Sequence, residues 1–234
     1  MAPEQRLLVI SDIHGQIHLL DALLGKVAFT PGSDRLLLLG DYVDRGRDSK
    51  AVIQRVRLLQ EQGATVLKGN HEDMMEKALI GRAAEDVALW TANGGAQTLA
   101  SYSVDVKAFC RATVTGETFA LPAELTDDLE WIGGLSMTMH TDGCLFVHAG
   151  VDPTRPLEAQ GPQQFLWMRE PFFSGYAGSE PVIVGHTPTI NLHDSFDVYF
   201  ADNQIIAIDG GAVFGGQLNC LELPSKRTWA IKAS

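Results

Sequence analysis

The chain of 234 residues suffices for one sizeable α/β domain or two small ones, and its 45% apolar and 20% charged residues are ordinary for a globular protein. A net charge of −11 argues against a nucleic-acid partner, and no apolar run approaches the length of a bilayer span, so no membrane partner is expected. The opening "MAPEQRLLVISD" lacks the basic n-region of a leader, and Cys110, Cys144 and Cys220 show no CxxC spacing, which reads as a cytoplasmic protein with reduced thiols.

In chain order, short apolar runs alternate with polar punctuation. "LLVI" runs into "SDIHG", and an amphipathic helix is expected over 18–27. "LLLL" runs into "GDYVDRG", followed by a helix over 49–62. Asp48 and Ser49 are read as caps of that helix. "TVL" runs into "KGNHE", followed by a helix over 72–81. The stretch 82–140 breaks the rhythm and is expected to be a mostly helical insertion. Within it, "WTANGG" marks a turn in which paired glycines allow positive φ. "LFV" then runs into "HAG", "VIV" into "GHT" and "IIAI" into "DGG". The final "QLNCLEL" and "RTWAIKA" alternate like antiparallel strands. No repeat, low-complexity segment or linker divides the chain, so 1–234 is expected to form one domain.

Apolar runs bounded by turn residues read as strands buried on both faces, and their alternation with helices gives an α/β architecture. Such folds bind ligands beyond the carboxyl ends of their strands. Asp12, His14, Asp41, Asn70, His148 and His186 all lie there. They are oxygen and nitrogen ligands without a thiolate, which suits Mn²⁺, Fe or Zn²⁺. Asp12 and His14 are two residues apart, and in an extended segment both would face one metal. Six ligands exceed what one catalytic metal takes while keeping an open position, so two divalent metal ions sharing a carboxylate are expected. Such a pair acidifies a shared water near neutral pH. Arg45, four residues after Asp41, offers a guanidinium fork for phosphate oxygens. His71, next to Asn70, is free to act as an acid, and Asp44 could orient it. These roles describe a phosphoesterase in which water attacks phosphorus and His71 protonates the leaving oxygen.

"SDIHG", "GDYVDRG", "GNHE", "HAG" and "GHT", in this order over residues 11–187, resemble the calcineurin-like metallophosphoesterases, and more narrowly the phosphoprotein phosphatase branch with its small bacterial and phage serine/threonine phosphatases. "IDGGAVFGGQLNCLEL" is similar to the C-terminal strands of bacterial members. The resemblance implies a sandwich of two mixed β-sheets flanked by helices, and a preference for Mn²⁺. It implies Asp12, His14 and Asp41 on one metal, and Asp41, Asn70, His148 and His186 on the other. It implies His71 as the leaving-group acid with Asp44 its partner, Arg45 as one phosphate arginine and Arg169, in "LWMRE", as the second. The chain departs from the pattern at Gly210, where many bacterial members carry Thr.

The expected activity is a metal-dependent phosphomonoesterase acting on phosphoprotein or a small phosphoester, first of all a serine/threonine protein phosphatase. The rival is a symmetrical bis(5'-nucleosyl)-tetraphosphatase, whose relatives usually carry Asp after "GNH", whereas Glu72 follows here. A metal-binding scaffold without turnover is disfavoured by the presence of both His71 and Arg45. His18, His140 and His193 fit no motif, and these motifs carry no reading of oligomeric state.

Overall fold

The structure, a computed structural model, describes residues 5–233. Residues 1–4, part of the stretch read as lacking a leader, lie outside the described residues. Two mixed sheets of five strands pack face to face with helices flanking them. The first sheet comprises β1 (Leu7–Ile10), β2 (Arg35–Leu38), β3 (Thr65–Val66), β9 (Gln217–Leu223) and β10 (Arg227–Lys232), in the order β10-β9-β1-β2-β3. The second comprises β4 (Thr138–Thr141), β5 (Cys144–Val147), β6 (Val182–Val184), β7 (Tyr199–Phe200) and β8 (Ile205–Ala207), in the order β4-β5-β6-β8-β7. Within each sheet the three strands that lead into motifs run parallel: β1, β2 and β3, then β5, β6 and β8. Their carboxyl ends therefore share one edge.

The period of two explains why these strands are apolar throughout. Leu7, Val9, Leu37, Phe146, Ile183, Ile206 and Leu221 meet between the sheets. Leu8, Ile10, Leu36 and Leu38 turn outward onto Leu20 and Leu23 of α1 (Ile17–Lys26) and Val52 and Val56 of α2 (Ser49–Glu61). Leu145, Val147, Val182 and Val184 cover the other outer face with Phe172. Each fully buried side chain of this size contributes about 1.5–3 kcal/mol.

Helix α3 (Asn70–Glu76) begins two residues before the expected 72 and continues into a π-helical turn, Lys77–Gly81. Helices α4 (Ala84–Trp90), α5 (Ala96–Ser101), α6 (Val106–Thr115) and α7 (Ala123–Gly133) follow, with a π-helical turn, Thr91–Gly95, between α4 and α5. The expected helical stretch 82–140 thus needs correcting at its end. Thr138–Thr141 is the edge strand β4, because polar and apolar residues alternate from Ser136 and Met139 packs towards the inter-sheet core. Helices α8 (Pro162–Trp167) and α9 (Glu170–Gly175) lie between β5 and β6. No described helix is long and apolar enough to cross a membrane.

Candidate active site

Every strand of the two parallel sets delivers a polar residue just past its end. Asp12 follows β1, Asp41 follows β2, Asn70 opens the helix after β3, His148 follows β5 and His186 follows β6. The loops are pinned to one another by main-chain bonds, among them Asp12 N–H to Gly40 O at 3.1 Å, His14 N–H to Asp41 O at 2.9 Å and Gly185 N–H to His148 O at 2.8 Å. The approach of the second and third loops depends on Gly40, whose φ is +105° and where a β-carbon would collide with the Gly69 main chain.

Asp41 stands at the centre. Its Oδ1 lies 3.3 Å from His148 Nε2, and its Oδ2 lies 3.5 Å from His14 Nε2. Two trios with mutually close ligand atoms share it: His14, Asp41 and His71 on one side, Asp41, His148 and His186 on the other. Asn70 belongs with the second, since its Oδ1 meets His148 Nε2 at 2.9 Å and His186 Nδ1 at 2.8 Å. Asp12 falls in neither trio. Its carboxylate accepts the His186 N–H at 3.0 Å and the Ser11 hydroxyl at 2.5 Å, which holds it against the loop after β6. The extended backbone expected of Asp12 and His14 is absent: φ is +56° and +44°. Asp41, Asp44, Arg45 and His186 are left-handed as well, a concentration of strain typical of functional loops.

Backbone carbonyls choose the imidazole tautomers. His14 Nδ1 donates to Val43 O at 2.8 Å and His148 Nδ1 to Leu39 O at 2.9 Å, so each points its Nε2 inward. Burial, reinforced by the neighbouring His71, holds His14 well below its usual pKa. Burial and His148 push His186 down to about 2. Burial disfavours charge on His148 too, but Asp41 outweighs it and raises it to about 9. Burial raises Asp12 and raises Asp209 well above the carboxylate range, with neighbouring carboxylates adding to both shifts. The neutral imidazoles of His14 and His186, together with the crowded carboxylates, fit divalent cations. So does His186 Nε2, which is buried without a partner among the described residues.

His71 Nδ1 bonds Asp44 Oδ2 at 2.7 Å, and its Nε2 stays 4.0 Å from Asp41 Oδ2. Burial works against its charge, yet Asp41 and Asp44 raise its pKa overall. Asp44 itself is clamped. Trp90 Nε1 donates to both its oxygens at 3.0 Å, and the Thr98 hydroxyl donates to Oδ1 at 2.6 Å. Ser49, expected as a helix cap, accepts the Asp44 N–H at 3.1 Å, and Asp48 makes no capping side-chain bond. Ser49 is the first residue of α2 rather than its cap, and its hydroxyl faces the buried Asp44 loop.

Arg45 and Arg169 line one cavity of about 560 Å³ with His186 and Asp209. Neither has a carboxylate within 4.0 Å among the described residues. Arg45 Nη1 instead donates to His14 Nε2 at 2.7 Å, and Arg169 Nη1 donates to Thr187 Oγ1 at 2.9 Å. Arg169 caps α9 with non-helical dihedrals, so it sits in a bend between α8 and α9.

Residue patterns left out four members of this network. Asp209 carries a readable signal, an aspartate two residues past β8 like Asp12 past β1. Glu72 carries one too, as the acidic N3 residue of a helix. Its carboxylate accepts the main-chain N–H of Asp41, Tyr42 and Gly69 at 2.8–2.9 Å, and burial beside Asp41 pushes it up to about 7. Trp90 and Thr98 show no signal at all, since they act from 46 and 54 residues away.

Oxygen and nitrogen groups converging from two sheets on one shared carboxylate, beside two guanidiniums without a carboxylate partner among the described residues, define a metal-dependent phosphoesterase. The calcineurin-like phosphoesterase family matches residues 5–216, and the chain belongs to it. Members of that family use a dinuclear divalent metal centre, and this chain is a hydrolase of that type. It is 34% identical over 220 residues to serine/threonine-protein phosphatase 1 of Salmonella typhimurium, covering 90% of this chain and 88% of that protein. It is also 26% identical to a symmetrical bis(5'-nucleosyl)-tetraphosphatase of Dechloromonas aromatica, over 96% of this chain and 95% of that protein. A crystal structure of a candidate diadenosine tetraphosphatase shares the fold, with a TM-score of 0.71 at 22% identity over 100% of this chain and 96% of that one.

Proposed function

We propose that the protein is a cytoplasmic serine/threonine protein phosphatase that uses two divalent metal ions, preferentially Mn²⁺. The observation that carries the reading is the buried Asp44–His71 pair at 2.7 Å, directed at the side of Asp41 where ligand atoms gather. The 34% identity to a serine/threonine-protein phosphatase over nearly the whole chain supports it.

Asp41 would join the two ions, with Asp12 and His14 on one and Asn70, His148 and His186 on the other. Bound cations supply an acidified water for attack on phosphorus and neutralise phosphoryl charge. Arg45 and Arg169 hold the non-bridging oxygens from their shared cavity and fix the ester in line. As the phosphorus–oxygen ester bond breaks, His71 gives its Nε2 proton to the departing serine or threonine oxygen. Asp44 holds the imidazole through Nδ1 and stabilises its protonated form. A positioned acid matters most for an alkoxide, which is strongly basic, and least for a nucleotide phosphate or a nitrophenolate.

The test is the dependence on leaving group. His71→Asn should lose about 10²–10⁴-fold on a phosphoserine peptide and far less on nitrophenyl phosphate, with metal content retained. Equal losses on both would remove His71 from the acid role. Rapid conversion of diadenosine tetraphosphate to two ADP, with phosphopeptides untouched, would replace the proposal with the tetraphosphatase reading.

A further inference from the structure

A second cavity, of about 430 Å³, opens on the far side of Arg45. Arg45 and Phe214 line both cavities, so together they form the wall between them. The Arg45 guanidinium stands 5.0 Å from the Phe214 ring centre, and its main-chain N–H donates to Gly94 O at 3.2 Å. The rest of the outer cavity comes from the π-helical turn and the start of α5, through Ala92, Asn93 and Gln97, and from Val213. Phe214 is 60% exposed, an arrangement the core does not require. The Asn93 amide donates to Leu89 O and keeps its oxygen free, while Gln97 is exposed.

The chemistry of this lining selects its occupant. A phosphoryl group held at Arg45 lies at the mouth of the outer cavity, so what continues from the ester oxygen can extend into it. Beyond Arg45 the lining has no cation. A polyphosphate chain would enter without a counter-charge, in a protein whose net charge is already −11. Side-chain amides beside an exposed phenyl ring suit a neutral peptide: the amides can bond its main chain, and the ring can cover an apolar side chain.

We infer that the outer cavity is the subsite for residues flanking the phosphorylated residue of a peptide, with Gln97 and Asn93 bonding the main chain and Phe214 contacting an apolar neighbour. The assignment rests on the protein phosphatase reading and adds a sequence preference to it. The segment 91–97 thereby serves two faces of the reaction, since its turn also anchors the main chain of the phosphate-binding arginine.

The experiment compares kcat/KM for free phosphothreonine, a phosphothreonine peptide with glycine flanks and the same peptide with leucine flanks. In the wild type the leucine-flanked peptide should exceed free phosphothreonine by about tenfold, mainly through KM. Gln97→Ala should lower the ratio of glycine-flanked peptide to free phosphothreonine by about three- to fivefold, the effect of losing one exposed hydrogen bond. Phe214→Ala should erase most of the leucine-over-glycine preference. Equal kcat/KM on all three substrates would overturn the subsite while leaving the phosphatase reading intact. Turnover of diadenosine tetraphosphate with no phosphopeptide hydrolysis would overturn both. A rise in KM for diadenosine tetraphosphate alone in Phe214→Ala would reassign the ring to a nucleobase.

Discussion

Asp44 is buried, yet it accepts bonds from an indole, a hydroxyl and an imidazole, so its geometry is set from three directions at once. The indole bond is the most informative to remove, because Trp90→Phe keeps an aromatic ring in the buried position while deleting the N–H, at the cost of a smaller side chain. A hydrogen bond to a charged group is worth about 1.5–3 kcal/mol, so turnover of a phosphoserine peptide should fall about 10–100-fold. Nitrophenyl phosphate should be affected much less, since the loss reaches the reaction only through His71. A loss of thermal stability with an unchanged leaving-group dependence would reduce Trp90 to a packing residue. The candidate ligands could be singled out from the sequence because each is a polar residue following an apolar run, and the structure gathers them at one edge. Their conformations could not. Asp12 and His14 are left-handed, and the Asp12 carboxylate is held by the His186 N–H, 174 residues away.

At the level of elements, the site is a set of loop contacts that glycine makes feasible. Gly40, at the end of β2, lets that loop touch Gly69 ahead of α3, and Glu72 then gathers three main-chain N–H groups from both loops. Gly40→Ala adds a β-carbon at φ +105° against another backbone. Strain of about 1–3 kcal/mol and overpacking of similar size should add to about 2–6 kcal/mol. At about 2–4 °C per kcal/mol for a chain of this length, Tm measured by calorimetry should drop by at least about 4 °C. A change under about 2 °C would mean the loops can separate at little cost. The departure at Gly210 has the same character: a β-carbon there would collide with Gln217 O, so a side chain at 210 would require the start of β9 to shift. Element types were legible from period and punctuation. The change from helix to strand near residue 138 was masked by the short, polar, edge-lying character of β4, only four residues long.

For the whole molecule, the two sheets each bring buried charge to one edge, and cations would link them. Removing divalent metal should therefore lower Tm, and restoring Mn²⁺ at about 100 times its Kd should return about 2.7 kcal/mol per site. Asp41→Asn should abolish most of this metal-dependent shift, because its two oxygens face opposite ligand trios. A full metal response in that variant would remove Asp41 from its joint role. By itself the sequence determined the α/β class, the edge at which chemistry gathers, the ligand types and the family, because strand ends, turns and ligand chemistry are local properties of short motifs. Only the tertiary structure decided which ligand faces which, that Glu72, Trp90, Thr98 and Asp209 belong to the network, and that Arg45 and Phe214 divide two cavities. Those relations depend on burial and on distances between residues far apart in the chain, and a local pattern specifies neither.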